Sequence, residues 1–207
     1  MTRNELIAYT KTLIDEVSPS NGVSVTLMSF ADDKPYDHHI DLLLNECATR
    51  VLLAAPTDML SPTYADCSQI KPSSNIGVGV MDKPDDWLRL IGAKLNSWKH
   101  WVAKQTPAYS VLTGLTNQTD VTRCRGTSLH PMLIADGTRL WFLPYRQNDS
   151  TSSASVLAYV AQTLPENLSL RLQYAVAWNC AARVLEICHR QADAQTAWQH
   201  ADEALQQ

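Results

Sequence analysis

Thr163-Leu-Pro-Glu-Asn-Leu-Ser-Leu-Arg-Leu-Gln-Tyr-Ala-Val-Ala-Trp-Asn-Cys-Ala-Ala-Arg-Val-Leu-Glu-Ile-Cys-His-Arg190 is the stretch around which the chain is organised. It opens on a threonine, a first-turn proline and a glutamate three residues on, the pattern of a capped helix start. Apolar residues follow at Leu168, Leu172, Ala175, Val176, Trp178, Ala182, Leu185 and Cys188, and from Leu172 to Cys188 the only charges are Arg183 and Glu186. A helix apolar on nearly every side is a buried one. The stretch therefore predicts one helix of roughly 25 residues within Thr163–Arg190, about 37 Å long at ~1.5 Å per residue. It is the central strut of a small domain, with Trp178 internal.

Two further helices precede it. Thr2 and Glu5 form a capping-box pair ahead of Leu6, Ile7, Thr10, Leu13, Ile14 and Val17 at helical spacing, and Ser18-Pro-Ser-Asn-Gly22 stops that helix. Pro35 starts a second helix with an apolar face of Ile40, Leu43, Leu44, Cys47, Ala48, Val51, Leu52 and Ala55, which Pro56 ends. Between them, Val23–Phe30 reads as a short extended segment. After Arg190 a break at Gln191–Asp193 leads to a last amphipathic helix carrying Ala194, Ala197, Trp198, Ala201 and Leu205.

The middle of the chain reads differently. Prolines and serines fill residues 56–84, where Ile76, Val78 and Val80 alternate with glycines, as in a strand close to another backbone. Pro84-Asp-Asp86 makes a turn before a strand over Trp87–Leu95. Trp98, Trp101, Tyr109, Val111 and Leu115 continue an aromatic, loosely β region. Met132–Leu143 holds two apolar runs about Asp136-Gly137, the type I′ hairpin pattern. In Ser155–Ala161, Val156, Ala158 and Val160 alternate as a final strand. Helices, then strands, then helices imply an α+β fold: a helical bundle of residues 1–60 and 162–207 with a β-rich, hairpin-containing insertion at 61–161.

With 207 residues, 45% hydrophobic and 18% charged, the composition is that of an ordinary globular protein. No run of eighteen uncharged apolar residues suggests a membrane span, and the first residues do not read as a signal peptide. Five scattered cysteines (47, 67, 124, 180, 188) without a CxxC pair read as reduced thiols of a protein made in cytoplasm. Net charge is −4, yet Lys83–Arg146 carries nine Lys/Arg against four Asp, leaving the remainder at −9. Such polarity suits head-to-tail contact with another copy or a partner, although solvated strand faces also tolerate Arg and Lys.

Residue patterns that carry chemistry are few. His38 and His39 are adjacent and face different sides of a helix. Cys180 and Cys188 lie two turns apart, and Cys124 and His130 have no evident partner pair, so no metal site is expected. No Gly-x-Ser-x-Gly elbow or phosphate-cradling glycine loop is present. Asp85 and Asp86 read as turn and cap residues before an acid/base pair. The sequence thus predicts neither enzyme nor cofactor. Lys94, Lys99, Lys104, Arg123, Arg125 and Arg139 interleave with Trp98, Trp101, Tyr109 and Trp141, a mixture able to track phosphates and stack bases, but the chain as a whole is acidic. The candidate interaction residues are Trp87, Trp98, Trp101, Arg123, Arg125 and Arg139.

Four stretches carry a family resemblance. They are Asp41-Leu-Leu-Leu-Asn-Glu-Cys-Ala-Thr-Arg-Val-Leu-Leu-Ala-Ala55; Pro84-Asp-Asp-Trp-Leu-Arg-Leu90 running into Trp98-Lys-His-Trp101; Arg125-Gly126 with His130-Pro131 and the hairpin ending Leu143-Pro-Tyr145; and Leu164-Pro-Glu166 heading the long helix. In this order they resemble the head-to-tail adaptors of short-tailed bacteriophages, the tail tubular A or gatekeeper type, and the ring proteins of crAss-like phages. The resemblance implies a structural virion protein without catalytic residues or cofactor, assembled in host cytoplasm. In the virion neck it would form a homo-oligomeric, dodecameric ring below the portal protein, contact further tail or ring proteins, and pass near genomic DNA without specific recognition. Some adaptors embrace a neighbour with a long extended C-terminal tail; here the final helix runs almost to Gln207, so the resemblance does not extend to that tail. The alternative reading is a non-enzymatic protein- or ligand-binding module, with Trp87, Trp98 and Trp141 lining a pocket in the β-rich insertion. A third, an enzyme with a novel site, requires convergent His, Asp or Cys side chains that the sequence does not announce.

Overall fold

The computed structural model describes residues 1–17, 36–74, 77–107 and 126–206. The chain is α+β, with helices from its two ends and antiparallel sheets between them. It divides into two compact units: Met1–Leu60 with Gln162–Gln207, and Ser61–Ala161. Val23–Phe30, Tyr109, Val111 and Leu115 lie outside the described residues.

The helical unit contains α1 (Arg3–Val17), α2 (Tyr36–Ala54), α3 (Leu170–Ile187) and α4 (Gln191–Gln206), and α3 packs against each of the other three. The α1 start follows its sequence signature. Thr2 N–H donates to Glu5 Oε2 at 2.7 Å and Glu5 N–H to Thr2 Oγ1 at 3.3 Å, and these bonds hold the Glu5 carboxyl below its usual pKa. On α2, Ile40, Leu44, Cys47, Ala48, Val51 and Leu52 are buried along one stripe. On α3, Leu172, Ala175, Val176, Ala177, Cys180, Ala181, Ala182, Val184 and Leu185 are all buried, as the central position of this helix requires.

The start and length of α3 differ from expectation. Pro165–Asn167 forms a separate 3-10 turn, Leu168 and Ser169 are extended (ψ 160° and 150°), and the α-helix begins at Leu170. Pro165 sits in the first turn of that short element, so Thr163-Leu-Pro-Glu166 initiates a turn and not the long helix. The turn is tied to α3 by buried Gln173, whose Nε2 donates to Glu166 O at 3.0 Å. With 18 residues, α3 spans about 27 Å.

The break after α3 also falls earlier than Gln191–Asp193, at Cys188–Arg190. Arg190 N–H donates to Leu185 O (2.9 Å) and His189 N–H to Glu186 O (3.0 Å), the paired bonds of a Schellman motif. His189 occupies its left-handed position with φ 58°, where glycine is usual.

The β unit holds eight strands among the described residues: β1 (Thr63–Tyr64), β2 (Lys71–Pro72), β3 (Gly79–Asp82), β4 (Trp87–Lys94), β5 (Thr106–Pro107), β6 (Met132–Asp136), β7 (Arg139–Leu143) and β8 (Val156–Ala161). One sheet runs β1-β8-β4 and the other β2-β3-β7-β6-β5; β5–β6 is parallel and every other pairing antiparallel. Their shared core gathers Met81, Leu133, Leu140, Phe142, Leu157 and Tyr159. β8 buries four consecutive residues, Leu157–Val160, so both faces are covered and the expected one-sided alternation is replaced.

The β6–β7 hairpin forms with Asp136 opposite Arg139. Its loop residues are therefore Gly137 and Thr138, not Asp136 and Gly137. Neither has positive φ, so the turn is not type I′. At Gly79 the close neighbours are side chains, not backbone: an added Cβ would stand 2.7 Å from the Tyr145 ring and 2.8 Å from Ile70 Cγ2. Beyond β7, buried Asp149 accepts from Ser97 N–H (2.8 Å), Ser97 Oγ (2.7 Å) and Arg146 N–H (2.8 Å). This carboxylate ties the turn that carries it to the Ser97 segment.

Candidate functional site

In the β unit, burial sorts the expected interaction residues. Trp87 (8% exposed) and Trp98 (3%) belong to the core, a correction to their assignment as surface contacts. The Trp87 ring stacks on Tyr159 at 4.8 Å and 15°, while Trp98 Nε1 donates to Pro144 O at 2.6 Å. Each ring gains more from a packed, hydrogen-bonded interior than from a solvated face. The Tyr159 hydroxyl donates to Asp86 Oδ1 (2.9 Å), and burial followed by that carboxylate pushes its pKa up to about 12. Asp86 is thus a turn residue with a tyrosine partner, as the Pro-Asp-Asp pattern suggests.

Trp101 and Arg139 are exposed. Trp101 is 56% accessible and lies over β4 at Gly92, where an added Cβ would meet its ring at 3.4 Å. Val102 is bridged to Ala93 by two 2.8 Å backbone bonds, which fix the segment bearing Trp101. Arg139 approaches Asp82 at 3.7 Å across β3–β7, with both side chains largely solvated. Arg123, Arg125 and Cys124 lie outside the described residues. Trp141 is half-buried on β7 with Met132, Val78 and Ile134. With Trp87 and Trp98 internal, the three tryptophans do not line an open pocket.

The helical unit presents a concavity that the sequence did not suggest. Tyr9 from α1, Arg171, Tyr174 and Trp178 from α3, and His200, Glu203 and Ala204 from α4 line a groove of about 510 Å³. Tyr174 and Trp178 are four apart and so share one helical face. Tyr9 meets Tyr174 edge-on at 5.4 Å, and Trp178 lies 4.6 Å from the His200 ring. Partial burial, then Tyr174 and Glu16, raise the Tyr9 pKa. Trp178, expected inside the bundle, is half-buried and forms a wall of this groove. The i, i+4 spacing of Tyr174 and Trp178 is the one local signal for the site; Tyr9 and His200 join them only through tertiary packing.

Beside it, polar contacts fasten the helices. Trp198 Nε1 donates to Glu186 Oε1 at 2.8 Å, and the Arg50 guanidinium lies 4.8 Å above the Trp198 ring. Arg183 pairs with Glu186 at 2.9 Å and Glu46 at 3.8 Å. The Trp198 hydrogen bond first, then Arg183 and Arg50, hold the Glu186 carboxyl below its ordinary range against the opposing effect of burial. These residues join α2, α3 and α4 and form a structural clamp.

Charge is divided between the units. The helical unit has seven Lys/Arg against fourteen Asp/Glu, a balance of −7; the β unit has the other ten and seven, a balance of +3. Among the described residues no three His, Cys, Asp or Glu side chains cluster as metal ligands, and no helix is long and apolar enough to cross a membrane. The arrangement offers contact surfaces: an aromatic groove on an acidic unit, and an exposed tryptophan and arginine on a basic one. No protein-family model matches the chain, and no curated protein matches it.

Proposed function

We propose that this chain is a structural connector, a head-to-tail adaptor that forms a ring below the portal of a short-tailed phage, links capsid to tail and contributes part of the DNA channel. The observation that carries the reading is the split of charge between two units, −7 on the helices and +3 on the strands. Opposite charge on two parts of one subunit favours heterologous contact between copies, the kind that closes into a ring when the rotation between neighbours permits. The order of pieces, helices enclosing a β-rich insertion, supports the resemblance drawn from the sequence. The burial of Trp87 and Trp98 weighs against the alternative of a ligand pocket in the β unit.

Mass photometry and negative-stain microscopy of the purified chain, alone and with the cognate portal protein, test the reading. A ring-shaped oligomer, formed alone or on the portal and weakened by salt, is the expected result. A monomer under both conditions would refute it.

A further inference from the structure

In the β unit a buried tryptophan anchors the segment that presents an exposed one. Trp98 sits in the core, its Nε1 donating to Pro144 O at 2.6 Å and its backbone N–H to Leu95 O at 2.9 Å. Three residues on, Trp101 is 56% exposed, with its ring over Gly92 of β4. The Ala93–Val102 bridge and the bond from Lys99 N–H to Ser128 O (2.7 Å) fix the backbone on either side of it. From Trp87 to Pro107 the chain carries Arg89, Lys94, Lys99 and Lys104 and no Asp or Glu. Lys99, His100 and Lys104, all within three residues of Trp101, are exposed. Lys94 follows Gly92 by two residues in unbroken register with β8, so its side chain leaves the sheet on the Trp101 side. Among the described residues these three lysines form no ion pair, whereas Arg3, Lys11, Arg183 and Arg190 of the helical unit each meet a carboxylate. The acid bonded to this segment, Asp149, is buried and already accepts from Ser97 and Arg146.

We propose that Trp101, with Lys94, Lys99 and Lys104, forms a sequence-independent binding site for single-stranded nucleic acid. An exposed indole stacks on any unpaired base, and ammonium groups beside it pair with the flanking phosphates. Bases inside a duplex are already stacked on one another and offer the ring no free face. Because the backbone under Trp101 is pinned, little order is lost when a strand binds. A protein partner suits the site less well. The tryptophan of a protein interface is ringed by contacts that exclude water, while this one is flanked by lysines and a histidine. Single-strand binding is separate from the connector role, in which duplex DNA need only pass, and it is measured on the chain whether or not rings form.

Fluorescence anisotropy of a labelled oligothymidylate of about 20 nucleotides, titrated with the full chain, tests the proposal beside a duplex of equal length and a polyglutamate competitor. The expected result is tighter binding of the single strand than of the duplex, weakened about 20-fold between ~50 and ~200 mM salt, as three phosphate contacts require. Trp101→Ala, at an exposed position, should weaken binding about tenfold with an unchanged far-ultraviolet circular dichroism spectrum, and Trp101→Phe should recover part of the loss. Lys99→Ala combined with Lys104→Ala should flatten the salt dependence. No binding at low salt, full affinity in Trp101→Ala, preference for the duplex, or displacement by polyglutamate as readily as by unlabelled oligothymidylate would each overturn the proposal. Trp101→Ala that weakens association between copies and leaves oligonucleotide binding intact would overturn it too, and would assign the ring to a protein interface. Rings without single-strand binding would sink this proposal and leave the connector reading standing; single-strand binding by a persistent monomer would do the reverse.

Discussion

Replacing His189 by glycine should stabilise the helical unit. His189 sits at φ 58° in the Schellman motif that ends α3, with its side chain exposed. An L-residue in the left-handed region costs about 1–2 kcal/mol, toward the lower end for histidine. Glycine removes that strain but gives up roughly 0.5–1 kcal/mol through the freedom it adds to the unfolded chain. The difference is a gain of about 0.5 kcal/mol. His189→Val should move the other way by about 1–2 kcal/mol, because a β-branched side chain tolerates this conformation poorly. Urea unfolding followed by circular dichroism at 222 nm weights the helices. With an m value of about 2 kcal/mol/M, the glycine variant shifts the midpoint up by roughly 0.25 M and the valine variant down by roughly 0.5–1 M. A glycine variant less stable than wild type, or a valine variant equal to it, would refute the reasoning. The backbone would then not hold His189 in the strained region.

In the β unit, Asp149→Ala leaves the Ser97 and Arg146 donors without the buried carboxylate that accepts from them. It should lose about 3 kcal/mol, read as an earlier change in tryptophan fluorescence on urea titration. Gly79→Ala places a methyl 2.7 Å from the Tyr145 ring and 2.8 Å from Ile70. It should cost about 2 kcal/mol, and a melting temperature equal to wild type would show that the ring gives way freely. Because Glu186 has a depressed folded pKa, its contribution is present above the unfolded carboxylate value and is lost as pH falls through the folded one. Glu186→Gln should therefore narrow the stability difference between neutral and acidic pH, below about pH 4.5, in parallel urea titrations. An unchanged acid limb would exclude Glu186 from the linkage.

Patterns that act within one element were legible in the sequence. The Thr2–Glu5 capping box, the apolar stripe of Ile40–Leu52 and the β6–β7 hairpin each rest on residues within a turn or two of one another. The start of α3 was misplaced because Thr163-Leu-Pro-Glu166 satisfies the rules for any helical turn, and only the extended backbone at Leu168–Ser169 separates the 3-10 turn from the helix. Composition could not tell a core tryptophan from a surface one: Trp98 and Trp101 are three residues apart, yet one is 3% exposed and the other 56%. The groove of Tyr9, Tyr174, Trp178 and His200 joins residues from distant parts of the chain. Periodicity and spacing carry no record of such pairings.

The discontinuity of the helical unit has a consequence for the order in which the protein is made. The chain leaves that unit after Leu60 and re-enters it at Gln162. During synthesis α1 and α2 emerge first, but the helix against which both pack is not yet translated. Leu6, Leu13, Ile40 and Leu44, all buried in the finished fold, must wait without their main partner while the β unit is made. The β unit is continuous in sequence and can close on itself as soon as Ala161 is clear of the ribosome. A nascent chain halted just beyond Ala161 should therefore hold a folded β unit beside an unpaired, chaperone-accessible α1–α2 segment. The helical unit becomes protease-resistant only after Ile187 has emerged.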